Sequence, residues 1–391
     1  MNANVFILAF CQAMLFTGIG LVVSSSALIG KQLAPSVSWA TLPLAIQYLT
    51  TLLTIFYVSR LMARKGRRFV FVRGALLGSS GALIASLAIW LGNFYLFAFA
   101  SVFIGMHTTV AQFYRFAAAE AVTTNLRAKA ISLTLAGGVF AAFIGPNLAR
   151  LSRNLLEQDF LASFLALALV TAFSALMATR LDLPAPDRHN ETAAARPLFL
   201  IVRQSNYLVA LLAAMIGYGV MNFLMTATPI AMDFCGYPFS STTLVIQWHL
   251  VAMFAPSFFT GDLIRKIGVL KVMLSGSLLL IASALTNLSG STFEHFEFAL
   301  VLLGIGWNFL YVGGTTLLTE TYSQSEKTKA QAFNDALIFT TLTVSSLSSG
   351  AMVSHFGWER INQYSLPVSL AALTAILWLF KSKTSRLTTA G

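Results

Sequence analysis

Apolar residues in this chain gather into runs of about twenty, each closed off by a short polar loop. A helix rises about 1.5 Å per residue, so a run of that length crosses the hydrocarbon of a bilayer. The runs fall at 4–29, 37–59, 70–92, 94–118, 130–150, 160–179, 206–232, 240–261, 270–290, 297–319, 331–353 and 364–381. Hydrophobic residues make up 57% of the 391 and charged residues only 10%. Soluble domains carry about 25% charge, so most of the outer surface has to face lipid. The expected fold class is an all-α membrane protein with twelve transmembrane helices.

The basic residues orient these spans. If both termini share a side, the even-numbered loops and the C-terminal end hold 20 of the 25 Lys and Arg, the other side holds 4, and Arg115 lies inside a span. That asymmetry places both termini in the cytoplasm, on the positive-inside rule. A net charge of +11 would suit nucleic acid only if it formed a continuous basic face; here it is dispersed among loops, and no nucleic-acid partner is expected. The run from Val5 to Ile29 is longer than a signal-peptide core and reads as a retained first span. Cys11 and Cys235 lie in different runs, without metal-ligand spacing, so neither a disulfide framework nor a zinc site is expected.

A polar stretch over 181–205, with Pro184, Pro186, Asp187 and Arg188, divides the chain. It reads as a cytoplasmic linker between an N-terminal six-helix bundle, 1–180, and a C-terminal one, 206–391. The halves repeat each other. Ser59 to Gly66 joins spans two and three as Gly261 to Gly268 joins spans eight and nine. Glu120 and Arg127 after span four recur as Glu320 and Lys327 after span ten, an offset of 200. Two pseudo-symmetric six-helix bundles typify secondary transporters that bind solute between the halves, near the bilayer midplane.

At these residues the chain resembles the major facilitator superfamily over essentially its whole length. Leu61, Arg64, Gly66, Arg67 and Arg68 match the family's loop signature between spans two and three, while Ser59 stands for its Gly and Ala63 for its Asp. Gly261, Leu263, Lys266 and Gly268 form a weaker second copy. Gly145-Pro146 is similar to the core of a motif found mainly in antiporters. The resemblance implies alternating access by rocking of the two halves, driven by a proton or another ion gradient. It also implies that Asp335, at the start of span eleven, could supply the charge missing at Ala63 and pair with Arg64 or Arg67.

Several residues are candidates for mechanism, each with a plainer alternative. Arg115 is costly in a membrane and should face the bundle interior; it either anchors a polar or anionic group of the solute or pairs with Glu120. Thr108, Ala111 and Gln112 share its face on a continuous helix. His107 and His249 lie in apolar runs, and imidazole carries protons near neutral pH, so with Asp335 they are coupling candidates; the alternative is an interhelical hydrogen bond. Asp335 is also placed to complement a helix N-terminus. Gln47 on span two, Tyr218 and Asn222 on span seven, Gln247 on span eight, and Trp307, Asn308 and Tyr311 on span ten form polar and aromatic stripes. Such a mixture suits a pocket for an organic solute or plain helix packing. Arg64, Arg67, Arg68 and Arg127 with Glu120, and Arg265 and Lys266 with Glu320, could latch a cytoplasmic gate, or simply reflect the positive-inside bias.

No phosphate-binding loop, catalytic triad or metal cluster is apparent in the sequence, so neither an enzyme nor a cofactor is expected. The expected function is ion-coupled transport of a small organic solute by a monomer in the bacterial inner membrane, with H+ as the coupling ion. Uptake of a polar or anionic metabolite, vitamin or siderophore-like compound is favoured over proton-antiport efflux, because span one holds no carboxylate.

Overall fold

A computed structural model of the protein describes residues 2–123, 126–183, 196–323 and 325–389. Most of the expected linker, 184–195, lies outside them. The described chain is helical in its core. Helix α1 (Ala3–Leu33) is followed by a 3-10 turn at Val37–Trp39, then α2 (Leu42–Lys65), α3 (Arg67–Trp90), α4 (Phe94–Ala111), α5 (Tyr114–Glu120), α6 (Arg127–Ser152) and α7 (Leu161–Ala178). After the linker come α8 (Leu198–Val202), α9 (Ser205–Phe234), α10 (Phe239–Phe254), α11 (Ser257–Ile267), α12 (Val269–Ser289), α13 (Phe293–Thr319) and α14 (Lys327–Thr389).

Among the described residues, nine helices are long and apolar enough to cross a bilayer, or ten with the broken pair α10–α11. Helix α14 accounts for two crossings, because its apolar stretch Lys329–Lys383 is interrupted at Gly357, whose φ of 79° is not helical. The 26-residue α6 supplies the remaining one. Leu53, Phe140, Leu155, Leu169, Phe298 and Trp378 stand exposed on the outside, a sheath that suits hydrocarbon rather than water.

Local sequence explains the ends of these helices. Asn2 and Asn93 accept hydrogen bonds from Val5 N and Leu96 N and so cap α1 and α4. Gly66 and Gly268 each turn the chain between two helices, with φ of 82° and 90° and ψ of 154° and 149°. No heavy atom crowds either position, so it is the left-handed backbone and not lack of space that calls for glycine there. The repeat read in the sequence is therefore a repeat of conformation.

Two expected spans are not single unbroken helices. Span four runs from Phe94 to Glu120 as one apolar segment, with a turn at Gln112 and Phe113 between α4 and α5, and Arg115 lies on α5. Span eight is broken at Ala255 and Pro256, where proline lacks the N–H that a helix interior needs.

The chain forms two compact units, and neither is one continuous stretch. The first comprises Met1–Arg188, Thr226–Val251 and Ser346–His355; the second comprises His189–Met225, Ala252–Ser345 and Phe356–Gly391. In the first unit, α1 and α6 pack almost backbone to backbone. A Cβ on Gly145 would lie 2.5 Å from the Thr17 carbonyl oxygen, and one on Gly20 would lie 3.0 Å from Pro146 Cδ. In the second unit, Gly276 of α12 and Gly306 of α13 lie against each other's carbonyl oxygens in the same manner. Small residues let membrane helices approach closely, since lipid supplies no hydrophobic drive between them. Buried hydroxyls fold back onto their own helices; Ser24 and Ser25 donate to Gly20 O and Leu21 O at 2.7 Å.

Candidate functional site

Polar residues of the first unit gather around a cavity of about 20 Å³ bounded by Met14, Gly18, Gln47, His107, Thr108 and Thr171. Gln47 Nε2 donates to Thr108 Oγ1 at 3.3 Å, and Thr108 donates on to Ile104 O at 3.0 Å. His107 is buried, with the Gly74 backbone beside its ring. Its ring leans on Gly78 of α3, where a Cβ would come within 2.7 Å of it. Gln47 and His107 thus line the same cavity. Arg115 is set apart on α5, its guanidinium 4.9 Å from the Phe116 ring centroid, and Gln112 sits in the turn before it.

The first unit also ties its N-terminal spans to the segments it takes from later in the chain. Asn147 Nδ2 of α6 donates to Gln247 Oε1 at 2.6 Å, so Gln247 is engaged by a side chain. Ser38 Oγ lies 2.9 Å from His355 Nε2, and Gly350 N donates to Thr41 Oγ1 at 3.1 Å. Lys31 pairs with Asp233 and lies over the Phe234 ring. His249 is fully buried in the same unit.

The second unit holds an aromatic cluster on α9 and α13. Trp307 and Tyr311 stack with centroids 5.2 Å apart and planes 13° apart. Tyr218 meets both edge-on at 5.1 Å, and Phe254 meets Trp307 edge-on at 6.4 Å. Trp307 is buried, and its Nε1–H, a donor only, has no acceptor among the described residues. Three of the expected solute-binding residues therefore form one box. Asn222 and Asn308 are buried beside it with partners of their own. Asn222 Nδ2 donates to Ser345 Oγ at 2.9 Å, and Asn308 Nδ2 donates to Met253 O at 2.8 Å. Asp335 is half-buried and accepts from Asn334 Nδ2 at 3.1 Å.

Of the expected latch pairs, Arg67 to Glu120 is formed at 2.6 Å. Arg64 and Arg68 are exposed beside it. Glu320 lies 3.8 Å from Lys383, and Arg265 pairs with Asp262 on its own helix, while Lys266 is exposed; the expected Glu320 partners are replaced. The Arg127 side chain lies outside the described residues.

The best-built ion pair is not among those expected. Arg196 donates to Glu326 through Nε at 2.7 Å and Nη2 at 2.8 Å, and through its backbone N at 3.0 Å. Ser323 N adds a bond at 2.9 Å. The sequence does carry a signal for it: Ser323 and Glu326 have the S-x-x-E spacing of a capping box at the start of a helix. Arg196 above all, with the Ser323 backbone N–H, holds the Glu326 carboxyl well below the usual range. A depressed carboxyl contributes stability above its unfolded pKa of about 4.3 and loses it as pH falls through the folded value. Glu326→Gln is accordingly expected to lower the thermal midpoint by about 2–4 °C at pH 7. The gap to the parent protein should persist down to pH of about 4.3 and close below it; a gap that keeps its size as the pH falls below about 4.3 would refute the assignment.

Comparison with known proteins places this arrangement. The family model described as Major Facilitator Superfamily matches residues 5–286 and 249–390. The riboflavin transporter RfnT of Brucella anthropi is 35% identical over 97% of this chain and 96% of its own. The uncharacterized MFS-type transporter YdeG of Bacillus subtilis is 26% identical over 96% of this chain and 91% of its own. Among solved structures, a mutant form of the nucleoside transporter NupG superposes with a TM-score of 0.76 at 10% identity, covering 96% of this chain and all of that one. At that identity the likeness speaks for the fold.

Proposed function

The chain belongs to the major facilitator superfamily, and on that footing we propose that it imports a flavin-type vitamin, riboflavin or a close analogue, into a bacterial cell. The observation that carries this reading is the aromatic box of Tyr218, Trp307 and Tyr311. A flat heteroaromatic ring system stacks well on such faces. The Nε1–H of Trp307, without an acceptor among the described residues, is a donor that ring carbonyl or ring nitrogen atoms of such a solute would satisfy. The solute named for RfnT, a relative along nearly the whole chain, supports the same assignment.

Coupling to H+ is part of the proposal. Among the candidate carriers, His107 combines burial with a small cavity that Gln47 and Thr108 also line; His249 and Asp335 remain the others. Arg115 and Gln112 take a supporting place near the cytoplasmic end of span four. The Arg67–Glu120 pair and the exposed arginines beside it act as the cytoplasmic latch, with both termini cytoplasmic and the protein a monomer. An efflux reading would lean on Gly145-Pro146, but the close approach of α1 and α6 accounts for those residues.

Purified protein in liposomes, loaded at low external pH, tests the reading. Saturable accumulation of labelled riboflavin that collapses when a protonophore dissipates the gradient is expected. Riboflavin counterflow without any response to the gradient would remove the H+ coupling, and no saturable uptake at all would remove the solute.

A further inference from the structure

Three helices are divided between the two compact units: between Met225 and Thr226, between Val251 and Ala252, and between Ser345 and Ser346. Two buried asparagines of the second unit sit at these points of division. Asn222, on the first helix, donates to Leu342 O at 3.3 Å and Ser345 Oγ at 2.9 Å on the third. Asn308 serves the second, where α10 ends and α11 begins around Pro256. Its Nδ2 donates to Met253 O at 2.8 Å, on the near limb, and to Ser257 Oγ at 2.7 Å, on the far limb. Its Oδ1 accepts from Thr260 Oγ1 at 2.8 Å, again on the far limb. One side-chain amide, whose own capacity is two donors and one acceptor oxygen, thereby spans the interruption, sharing the Thr260 hydroxyl with Pro256 O, which lies 2.8 Å from the same Oγ1.

Asn308 follows Trp307 directly on α13, and Trp307 touches Phe254, the last residue of α10. The amide and the indole are thus fixed to the same turn of one helix and grip the same break. We propose that Asn308 is a positioning residue, not a solute ligand: it transmits occupancy of the aromatic box to the break in span eight, with Asn222 holding the neighbouring helix. This rests on the reading that the box takes the solute. A solute that shifts Trp307 would carry Asn308 with it and load both sides of the break at once.

The experiment compares the parent protein with Asn308→Ala and with Thr260→Val, which keeps shape and removes only the far-limb hydroxyl. Riboflavin is the probe for binding and uptake, and amide hydrogen exchange over residues 253–260 is read without solute. Asn308→Ala should leave the riboflavin Kd within about twofold, lower the maximal uptake rate about tenfold, and speed exchange across the break. Thr260→Val should move rate and exchange the same way by about threefold. A Kd that rises in step with the loss of rate would make Asn308 a solute contact and overturn the proposal, as would exchange unchanged in both variants. If the parent protein binds no riboflavin, the solute reading fails, while the exchange measurement still decides whether the amide secures the break.

Discussion

Trp307→Ala is expected to raise the riboflavin Kd by roughly 5- to 150-fold, since stacking of a flat base on an aromatic side chain is worth about 1–3 kcal/mol and Trp307 meets every other ring of the box. Tyr218, Tyr311 and Phe254 all meet it, and Tyr311 lies parallel to it. Riboflavin fluorescence, quenched when the flavin stacks on an indole, gives the titration directly. A buried Trp→Ala change also opens a cavity, at a cost of about 3–5 kcal/mol in a well-packed core, so thermal stability must be followed alongside. Trp307→Phe separates the two effects. It keeps a ring in the stack while losing the Nε1–H, and should fall between parent and alanine variant. Equal affinity in all three would show that the box is packing only, and would move the solute elsewhere.

Gly145→Val should be strongly damaging to the fold. The space a Cβ would need is occupied by the Thr17 carbonyl oxygen at 2.5 Å, with Gly20 Cα at 3.0 Å. Both are backbone, so no side-chain rotation relieves the contact, and α1 must part from α6. Overpacking costs typically about 1–3 kcal/mol, and two further methyl groups in a backbone contact put this case at or above the upper end. Loss of monodisperse protein on size-exclusion chromatography, with a lowered thermal midpoint for what remains, is the expected readout. Gly66→Ala supplies a contrast of mechanism, because that site is open and only its φ of 82° resists a side chain. If Gly145→Val is no worse than Gly66→Ala, the glycine at 145 serves something other than helix contact.

Much of the fold is legible because membrane helices advertise themselves twice, through apolar length and through the charge of the loops between them. The repeat is legible for a different reason. Gly66 and Gly268 stand at matched positions since both turns need a left-handed residue, and backbone requirements leave a mark in sequence. The breaks are harder to see. Pro256 is visible, but apolar residues continue on both sides of it; Gln112 and Phe113 carry no breaker at all, so the turn between α4 and α5 goes unmarked. Polar stripes are ambiguous by nature. Gln47, Asn222, Gln247 and Asn308 have the same pattern whether they meet a solute or another helix, and only partners in space distinguish the two. Gln247 has found Asn147 and Asn308 has found span eight, while Tyr218, Trp307 and Tyr311 have gathered into a box. Glu326 is easily passed over despite its capping-box spacing, because Glu320 is the residue that repeats Glu120.

The discontinuity of the first unit bears on how the protein is made. Segments Thr226–Val251 and Ser346–His355 belong to it, so a nascent chain that has released its first six spans has not yet released that unit's full set of contacts. Ser38 and Thr41 wait for His355 and Gly350, more than three hundred residues further along the message. The early loop 34–41 must therefore pass through most of synthesis without its final partners, while the spans around it, α1 to α7, already have one another to pack against.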